Sequence, residues 1–374
     1  MKYYYQIEGY VRNNIGDTLQ GLAAKAFLPD SAEAVDREAL AELDDSIPAV
    51  LVANGWYMHR WDKFPPPEAI KPIYTSVHIA RTQMLAEKRI LDHFKRNAPI
   101  GCRDQKSLLY FLGWGIPAYY SSCLTITTQP RAEINKTGKG EYILVDNMDH
   151  VVPDNVLVKL EKWYGQRFIR ISHDPISSDM PFEEYVDDTT GRMNSLLKRY
   201  CEAALVVTTK IHCALPCLGM GANVMLIHPD PKDFRLDTVK KYMKIYSYEE
   251  ILEMDSIPTI RVNKKRLKKY QKFLSGIVSQ SVKSGYNAVS KPTAIKYKYL
   301  RLKSIFMAKV VRLAVTVLFK LGISKKEIGR VFFGIWEKTD SIIYETCQDN
   351  KTALLLRLVS ALVLKMRFFA CSYA

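Results

Sequence analysis

The sequence lacks several features that would place it in other classes of protein. It has only seven cysteines, irregularly spaced and without a CxxC pair, which excludes a disulfide scaffold and the usual zinc motifs. Its first residues contain no apolar stretch followed by a cleavage site, so no signal peptide is predicted. The composition is 48% hydrophobic and 11% aromatic, which excludes a disordered chain. We therefore expect a folded, cytoplasmic protein with reduced thiols.

Acidic residues are almost missing from one segment. Between Arg261 and Arg330 there are nineteen Lys and Arg residues and a single acid, Glu327. The rest of the chain carries thirty-five Lys and Arg residues against thirty-eight Asp and Glu residues. This one segment therefore accounts for the whole formal charge of +15.

From residue 291 onward, cationic clusters alternate with two apolar stretches, residues 305–321 and 354–369. Arg357, Lys365 and Arg367 interrupt the second stretch, which makes it a poor membrane span. A basic amphipathic helix on an anionic membrane surface fits this pattern, and a helical extension packed on the protein body or on another subunit fits it equally. Nucleic-acid binding is not favoured, because no reader motif accompanies the charge.

Strand-like apolar runs alternate with helical segments in two successive series. Residues 128–140, rich in Pro, Gly, Lys and Asn, have the composition of an interdomain linker. This order predicts an α/β protein with two doubly wound, Rossmann-like domains facing each other across a cleft. The predicted units are residues 1–130, residues 131–285, and a basic, apolar helical extension at 286–374. Predicted strands include residues 2–7, 49–53, 71–78, 141–145, 167–172 and 203–207, and predicted helices residues 18–28, 81–96, 153–163 and 189–201.

The strand that ends at Val207 leads into a stretch suited to binding an anion. Thr208 and Thr209 can cap the following helix, so its first turn would begin at Lys210. The unpaired N–H groups and partial positive charge of a first turn favour phosphate, and a lysine and a histidine add donors there. An ordinary strand and helix with a surface lysine and a buried histidine explains the pattern equally well. The candidate residues are Thr209, Lys210, Ile211 and His212.

Arg103 follows a short predicted strand at the carboxyl edge of the first sheet. A guanidinium group there can hold a carboxylate or phosphate through two parallel hydrogen bonds. The alternative is a surface ion pair with Asp104, which would also cap the next helix.

Two further loops follow strands of the first series, at the edge where open α/β sheets bind ligands. One carries Asn14, Gly16 and Asp17, and the other bends sharply at Asn54 before Trp56. The aromatic residues of the second loop suit a sugar-stacking surface, although core packing explains them nearly as well. The candidate cleft residues are therefore Asn14, Gly16, Asp17, Asn54 and Trp56, and from the second domain His173 and His228 can reach the same cleft.

Four motifs together resemble the polysaccharide pyruvyl transferases, enzymes of bacterial capsule and exopolysaccharide assembly. They are Asn14-Ile-Gly-Asp17, Ile100-Gly-Cys-Arg-Asp-Gln-Lys-Ser107, Ser122-Cys-Leu-Thr125 and Val206-Val-Thr-Thr-Lys-Ile-His-Cys-Ala-Leu-Pro216. The resemblance covers about residues 1–285 and implies a fold similar to the GT-B glycosyltransferases. It also implies phosphoenolpyruvate as the donor substrate, in place of a nucleotide sugar, and a product in which a pyruvate ketal bridges two sugar hydroxyls. Neither a metal nor another cofactor is required by this scheme.

The resemblance assigns roles to individual residues. The family's Arg-Leu-His motif corresponds to Lys210-Ile211-His212, where lysine keeps the charge but loses the bidentate geometry of arginine. Arg103, Thr209, Lys210 and Ile211 would then bind the donor, and His212 would transfer protons. The acceptor would be a glycan or its lipid-linked precursor at the inner face of the membrane. A nucleotide-sugar glycosyltransferase of GT-B type and a non-catalytic membrane-docking protein are the alternatives.

Overall fold

The computed structural model describes residues 1–146, 150–173, 179–286, 288 and 320. Within these residues the chain forms two parallel β-sheets with helices packed against them. The predicted α/β architecture with two series of strands is therefore confirmed. The predicted helical extension lies almost entirely outside the described residues.

The first sheet has six strands in the order β2-β1-β3-β4-β5-β6. Every neighbouring pair is parallel, so all the carboxyl ends lie at one edge. The strands are β1 (Lys2–Ile7), β2 (Glu33–Asp36), β3 (Ala49–Tyr57), β4 (Ile70–Ile79), β5 (Ile100–Cys102) and β6 (Ala118–Tyr120). The helices are α1 (Gly16–Lys25), α2 (Lys88–Arg96) and α3 (Gln105–Gly113).

The second sheet has five strands in the order β11-β10-β9-β7-β8, again parallel throughout. Its strands are β7 (Tyr142–Asp146), β8 (Phe168–Ser172), β9 (Leu205–Thr208), β10 (Val224–Ile227) and β11 (Ile245–Tyr246). Its helices are α4 (Asp154–Tyr164), α5 (Phe182–Glu202), α6 (Ile211–Met220), α7 (Asp237–Lys240) and α8 (Tyr248–Glu253). Helix α9 (Lys264–Ser284) follows them.

Several helix boundaries differ from the prediction. Helix α1 spans Gly16–Lys25 and not 18–28, and α5 begins at Phe182, well before residue 189. The segment 81–96 is not one helix: a short 3-10 helix ends at Ala86, and α2 begins only after Glu87, whose φ of −76° and ψ of 124° are extended. Helix α6 begins at Ile211, because Lys210, not a threonine, is its N-cap. The hydroxyl of Thr208 is used differently, since it donates to the backbone oxygen of Val145 at 2.9 Å and accepts from the backbone N–H of Lys210 at 3.0 Å.

Helix α9 joins the two halves of the molecule. The helix packs against α6 of the second series and also against β3 and β4 of the first sheet. Its Phe273 and Tyr270 rings meet Tyr119 and Tyr120 edge-on, with centroids 5.9 Å and 5.4 Å apart. Three of these four rings are buried and Phe273 is partly buried, so the contacts fix α9 to the first sheet. In the described ranges no helix is both long and apolar enough for a bilayer crossing.

The two sheets meet at their carboxyl ends. The backbone N–H of Ile15, beyond β1, donates to the backbone oxygen of His173, beyond β8, at 2.9 Å. The hydroxyl of Thr238, beyond β10, donates to the backbone oxygen of Arg103, beyond β5, at 2.7 Å. One apolar core cluster contains residues of both sheets. Residues that follow strands in either sheet are therefore brought into one region.

Candidate active site

Arg103 and His212 meet at the junction of the two sheets. Arg103 follows β5 and His212 lies in the first turn of α6, yet Nη1 of the arginine is 3.3 Å from Nε2 of the histidine. The same Nη1 donates to Oε1 of Gln20, in α1, at 3.0 Å. Both Arg103 and His212 are buried, with 3% and 6% of their surfaces exposed. The structure thus brings together the two residues that the sequence marked in separate series of strands.

The imidazole of His212 lies between a guanidinium and a carboxylate. Its Nδ1 is 3.6 Å from Oδ1 of Asp17, which also accepts a hydrogen bond from Gln20. Because the Arg103 guanidinium can only donate, Nε2 of His212 is the acceptor and Nδ1 carries the proton that faces Asp17. Burial, and then the charge of Arg103, holds the pKa of His212 well below its usual range. His212 is therefore neutral at pH 7 in this arrangement.

The loop with Asn14, Gly16 and Asp17 is fitted closely to His212. The side chain of Asn14 accepts a hydrogen bond from the backbone N–H of Gly16 at 2.9 Å. A Cβ added at Gly16 would lie 3.0 Å from Cβ of His212 and 3.3 Å from Nδ1 of His173, so only glycine permits this approach. Burial raises the pKa of Asp17, with Glu8 adding to it, against the opposing effect of nearby cations.

Asn54 reaches the site through α1. Its Nδ2 donates to the backbone oxygen of Gln20 at 2.7 Å, and a Cβ added at Gly55, where φ is +94°, would lie 2.7 Å from Oε1 of the same glutamine. A bulge between β3 and β4 falls at this point. The predicted sharp bend at Asn54 is therefore wrong, because β3 continues through the bulge to Tyr57. The bulge holds Gln20, which in turn contacts Arg103. Trp56 packs against the ring of His78, with centroids 4.8 Å apart, and its role in sugar binding stays a prediction.

The predicted donor-binding residues surround the start of α6. Thr209 is 2% exposed, its backbone N–H donates to Val145 at 3.1 Å, and its hydroxyl has no hydrogen-bond partner among the described residues. Burial, and to a smaller degree the charge of Lys210, lowers the pKa values of both His212 and His173. Ile211 is partly buried against the core, and its backbone N–H is one of the unpaired donors of the first turn.

Sequence reasoning missed a buried ion network behind this site. Arg37 and Glu38 form an ion pair of 3.0 Å and are almost fully buried. Glu8 accepts hydrogen bonds of 2.7–2.8 Å from the backbone N–H groups of residues 10–12. Burial acts to lower the pKa of Arg37, but Glu38, Asp17 and Glu8 outweigh it and raise that pKa. Glu8 could have been identified, because it directly follows β1 as Arg103 follows β5.

Asp104 pairs with a histidine and not with Arg103. Its Oδ2 is 2.7 Å from Nδ1 of His78, and both residues are buried. Its Oδ1 accepts the backbone N–H of Ser107 at 2.8 Å, so it caps α3 as the sequence indicated. The alternative of an exposed Arg103–Asp104 pair is therefore wrong. The guanidinium of Arg103 is left to face Gln20 and His212.

Of the two further candidate histidines, His173 and His228, only His173 lies beside the loop that contacts His212. It is fully buried, its Nε2 lies 2.8 Å from the hydroxyl of Tyr200, and burial, followed by Lys210, lowers its pKa to about 3. Its Nδ1 has no hydrogen-bond partner among the described residues. His228 instead bonds the backbone of Asp230 and packs against His150, with centroids 4.7 Å apart. The described ranges contain no cluster of three or more His, Cys, Asp and Glu residues that could hold a metal ion.

These features define a two-sheet α/β protein whose strand ends converge on a cationic, histidine-containing site. A family model described as polysaccharide pyruvyl transferase matches residues 14–231, more than half of the chain. The chain therefore belongs to the polysaccharide pyruvyl transferase family, which confirms the resemblance seen in the sequence.

Other comparisons add little to this assignment. A search of curated proteins finds no significant match. Among solved structures, a variant of the wall teichoic acid polymerase TagF is similar at 10% sequence identity, over 83% of this chain and 89% of that chain, with a TM-score of 0.33. A superposition of that quality carries no argument about fold or function.

Proposed function

We propose that the protein transfers the enolpyruvyl group of phosphoenolpyruvate to two hydroxyls of a sugar, forming a pyruvate ketal and releasing phosphate. The acceptor is a bacterial surface glycan or its lipid-linked precursor. The observation that carries this proposal is the 3.3 Å contact between Arg103 and His212 at the start of α6. Family membership supplies the class of reaction.

The donor needs a site rich in cations, because it carries both a phosphate and a carboxylate. Arg103 and Lys210 supply two cations, and the unpaired N–H groups at the start of α6 supply further donors. The Arg103 guanidinium is already oriented by Gln20, so one part of the site is preorganised. A donor anion here competes with His212 for the N–H groups of Arg103 and frees Nε2 for proton transfer.

His212 is the proton-transfer group in this scheme. It is neutral before the donor binds, and the negative charge of the donor raises its pKa, so binding takes up a proton. His212 gives that proton to the methylene carbon of the donor while a sugar hydroxyl bonds to the central carbon and returns its own proton to the imidazole. Phosphate then leaves with the proton of the neighbouring hydroxyl, whose oxygen closes the ketal.

The remaining residues support this step from both sides of the imidazole. Asp17 faces Nδ1 and favours the tautomer in which Nε2 is the reacting nitrogen. Lys210 and the first N–H groups of α6 stabilise the departing phosphate, since they are donors fixed in place before the reaction. Neither contribution requires a movement of the backbone.

Incubation with isotopically labelled phosphoenolpyruvate and a panel of lipid-linked glycans tests the proposal. We expect acceptor-dependent release of phosphate. Mass spectrometry should show a labelled pyruvate adduct in which two adjacent sugar hydroxyls are no longer free. The matched control is the same incubation with His212→Ala protein. Turnover of a nucleotide sugar, with no adduct from phosphoenolpyruvate, would assign the protein to the glycosyltransferases instead.

A further inference from the structure

A group of exposed cations lies along one side of helix α9. At 3.6 residues per turn, the five lysines between residues 264 and 272 fall within about 140° of the helix circumference. The opposite side is buried through Leu267, Tyr270 and Leu274. The exposed cations, named here the α9 basic face, are Arg261, Lys264, Lys265, Lys268, Lys269 and Lys272.

The α9 basic face is unfavourable for the helix that carries it. The first turn contains no acid, so Lys264 and Lys265 oppose the positive end of the helix dipole. Like charges also stand four residues apart at Lys264 and Lys268, Lys265 and Lys269, and Lys268 and Lys272, which destabilises a helix.

Nothing on the protein compensates this charge in the ranges that the structure describes. None of the six cations forms an ion pair with a described acid. Some other exposed lysines of the fold have acidic partners, as Lys244 has Glu250 at 2.9 Å and Lys240 has Asp237 at 3.1 Å, and the cations without one are not gathered on a single helix face elsewhere in the described fold. A cationic surface of this kind is suited to an anionic partner outside the fold.

The chemistry of the face favours lipid headgroups over nucleic acid. Proteins that bind single-stranded nucleic acid combine cations with aromatic side chains on which bases stack. The aromatic residues of α9, Tyr270 and Phe273, are instead packed against the first sheet. A membrane surface needs only charge, at about 1 kcal/mol for each lysine or arginine close to it. In the sequence beyond α9, residues 291–374 alternate cationic clusters with apolar stretches, a composition typical of interfacial helices.

We propose that the α9 basic face docks onto the anionic lipid headgroups of a membrane. The lysine side chains extend from a helix that is fixed to the first sheet, so docking orients the whole described fold relative to the bilayer. The interaction is electrostatic and weakens with salt, because the attraction falls off within a Debye length. It is separate from the proposed transfer reaction, since no donor-binding residue lies on α9.

Vesicle flotation with the full-length protein tests this docking. We expect the protein to float with phosphatidylcholine vesicles that contain about one quarter phosphatidylglycerol, and to remain unbound with pure phosphatidylcholine or at high salt. Replacing the five helix lysines by glutamine should reduce the affinity for the anionic vesicles by about tenfold or more. The variant is Lys264→Gln, Lys265→Gln, Lys268→Gln, Lys269→Gln and Lys272→Gln.

A matched control removes the same charge from other exposed positions. Its five substitutions should leave flotation close to that of the wild type, because those lysines lie on other elements of the fold. Circular dichroism and thermal unfolding check both variants, and removal of like-charge repulsion should leave the α9 variant at least as stable as the wild type. The control is Lys95→Gln, Lys136→Gln, Lys139→Gln, Lys162→Gln and Lys198→Gln.

Arginine at the same five α9 positions keeps the charge and should keep the flotation, which preserves the test if the glutamine variant folds poorly. Three results would overturn the proposal. They are a wild-type protein that does not float with anionic vesicles, an α9 glutamine variant that floats as well as the control, and an α9 variant that loses only its retention on a heparin column. The last result would assign the face to a soluble polyanion.

Discussion

The two edges that meet at the candidate site are built differently. At the edge of the first sheet the charged groups are paired: Arg37 with Glu38, and Asp104 with His78. Buried polar atoms without a hydrogen-bond partner among the described residues occur at both edges: Oδ1 of Asn54 and Nε1 of Trp56 at the first, and the hydroxyl of Thr209 and Nδ1 of His173 at the second. The edges therefore differ in their charged groups: the first surrounds Arg103 with ion pairs that are already formed, whereas the second contributes His212 and Lys210 beside groups that a ligand can still bind.

Removing the histidine of the second edge should have the largest effect. We expect His212→Ala to lower the rate of pyruvyl transfer by about 10³-fold, within the range for loss of a general acid and base, while the protein stays folded. His228→Ala is the matched control, because His228 follows β10 much as His212 follows β9 but contacts His150 and Asp230. A His212→Ala protein with near wild-type turnover would remove the imidazole from the chemistry.

Removing one member of the ion pair at the first edge should lower the free energy of unfolding. Arg37→Met leaves Glu38 buried without its cation, and removal of one partner from a buried ion pair costs about 3 kcal/mol or more. Urea unfolding followed by circular dichroism measures this loss. The double variant Arg37→Met, Glu38→Gln should recover part of it, since Glu38 is then neutral, whereas Asp17 and Glu8 still lack the charge of Arg37. If the single variant were as stable as the wild type, the network would not be the support inferred here.

Arg103 contacts groups of both edges, so removal of its side chain should in particular lower the efficiency with which phosphoenolpyruvate is used. Arg103→Ala removes a charge-assisted hydrogen bond, and we expect kcat/KM for phosphoenolpyruvate to fall by about 30-fold, in line with about 2 kcal/mol. Steady-state rates at varied donor concentration, with the acceptor saturating, measure the change. Arg60→Ala is a suitable control because Arg60 is about two-fifths exposed and pairs with Asp62. Unchanged donor kinetics would place Arg103 outside the donor site.

The residues that could be predicted from the sequence lie within a few positions of the end of an apolar strand. Arg103 and His212 could be predicted because parallel strands place their carboxyl ends at one edge of each sheet. This holds however the two sheets pack against each other. Arg37 was missed because the strand before it, Glu33–Asp36, has no apolar run to mark it. The contact of Gln20 with Arg103 depends on how α1 packs, and a pattern in the sequence does not specify that geometry.

The start of α6 shows a second limit of sequence reasoning. Threonine is a better N-cap than lysine by propensity, and on that basis the helix was expected to begin at Lys210. The Thr208 hydroxyl instead bonds to Val145 on the neighbouring strand, so a tertiary contact decided the boundary. The shift leaves Lys210 extended, at φ −104° and ψ 129°.

The smallest effect at neutral pH concerns acid stability, and it tests the unpaired Nδ1 of His173 at the second edge. The pKa of His173 in the folded protein is lowered to about 3, below its unfolded value near 6.5. Below pH 6.5 the unfolded chain therefore binds a proton that the folded chain does not, so stability falls as the pH drops toward 3, by up to about 1.4 kcal/mol per pH unit for this group. His173→Gln should flatten the fall of the urea midpoint over that range. Equal slopes for wild type and His173→Gln would mean that His173 takes up a proton within the fold, through a partner such as a ligand or water at its Nδ1.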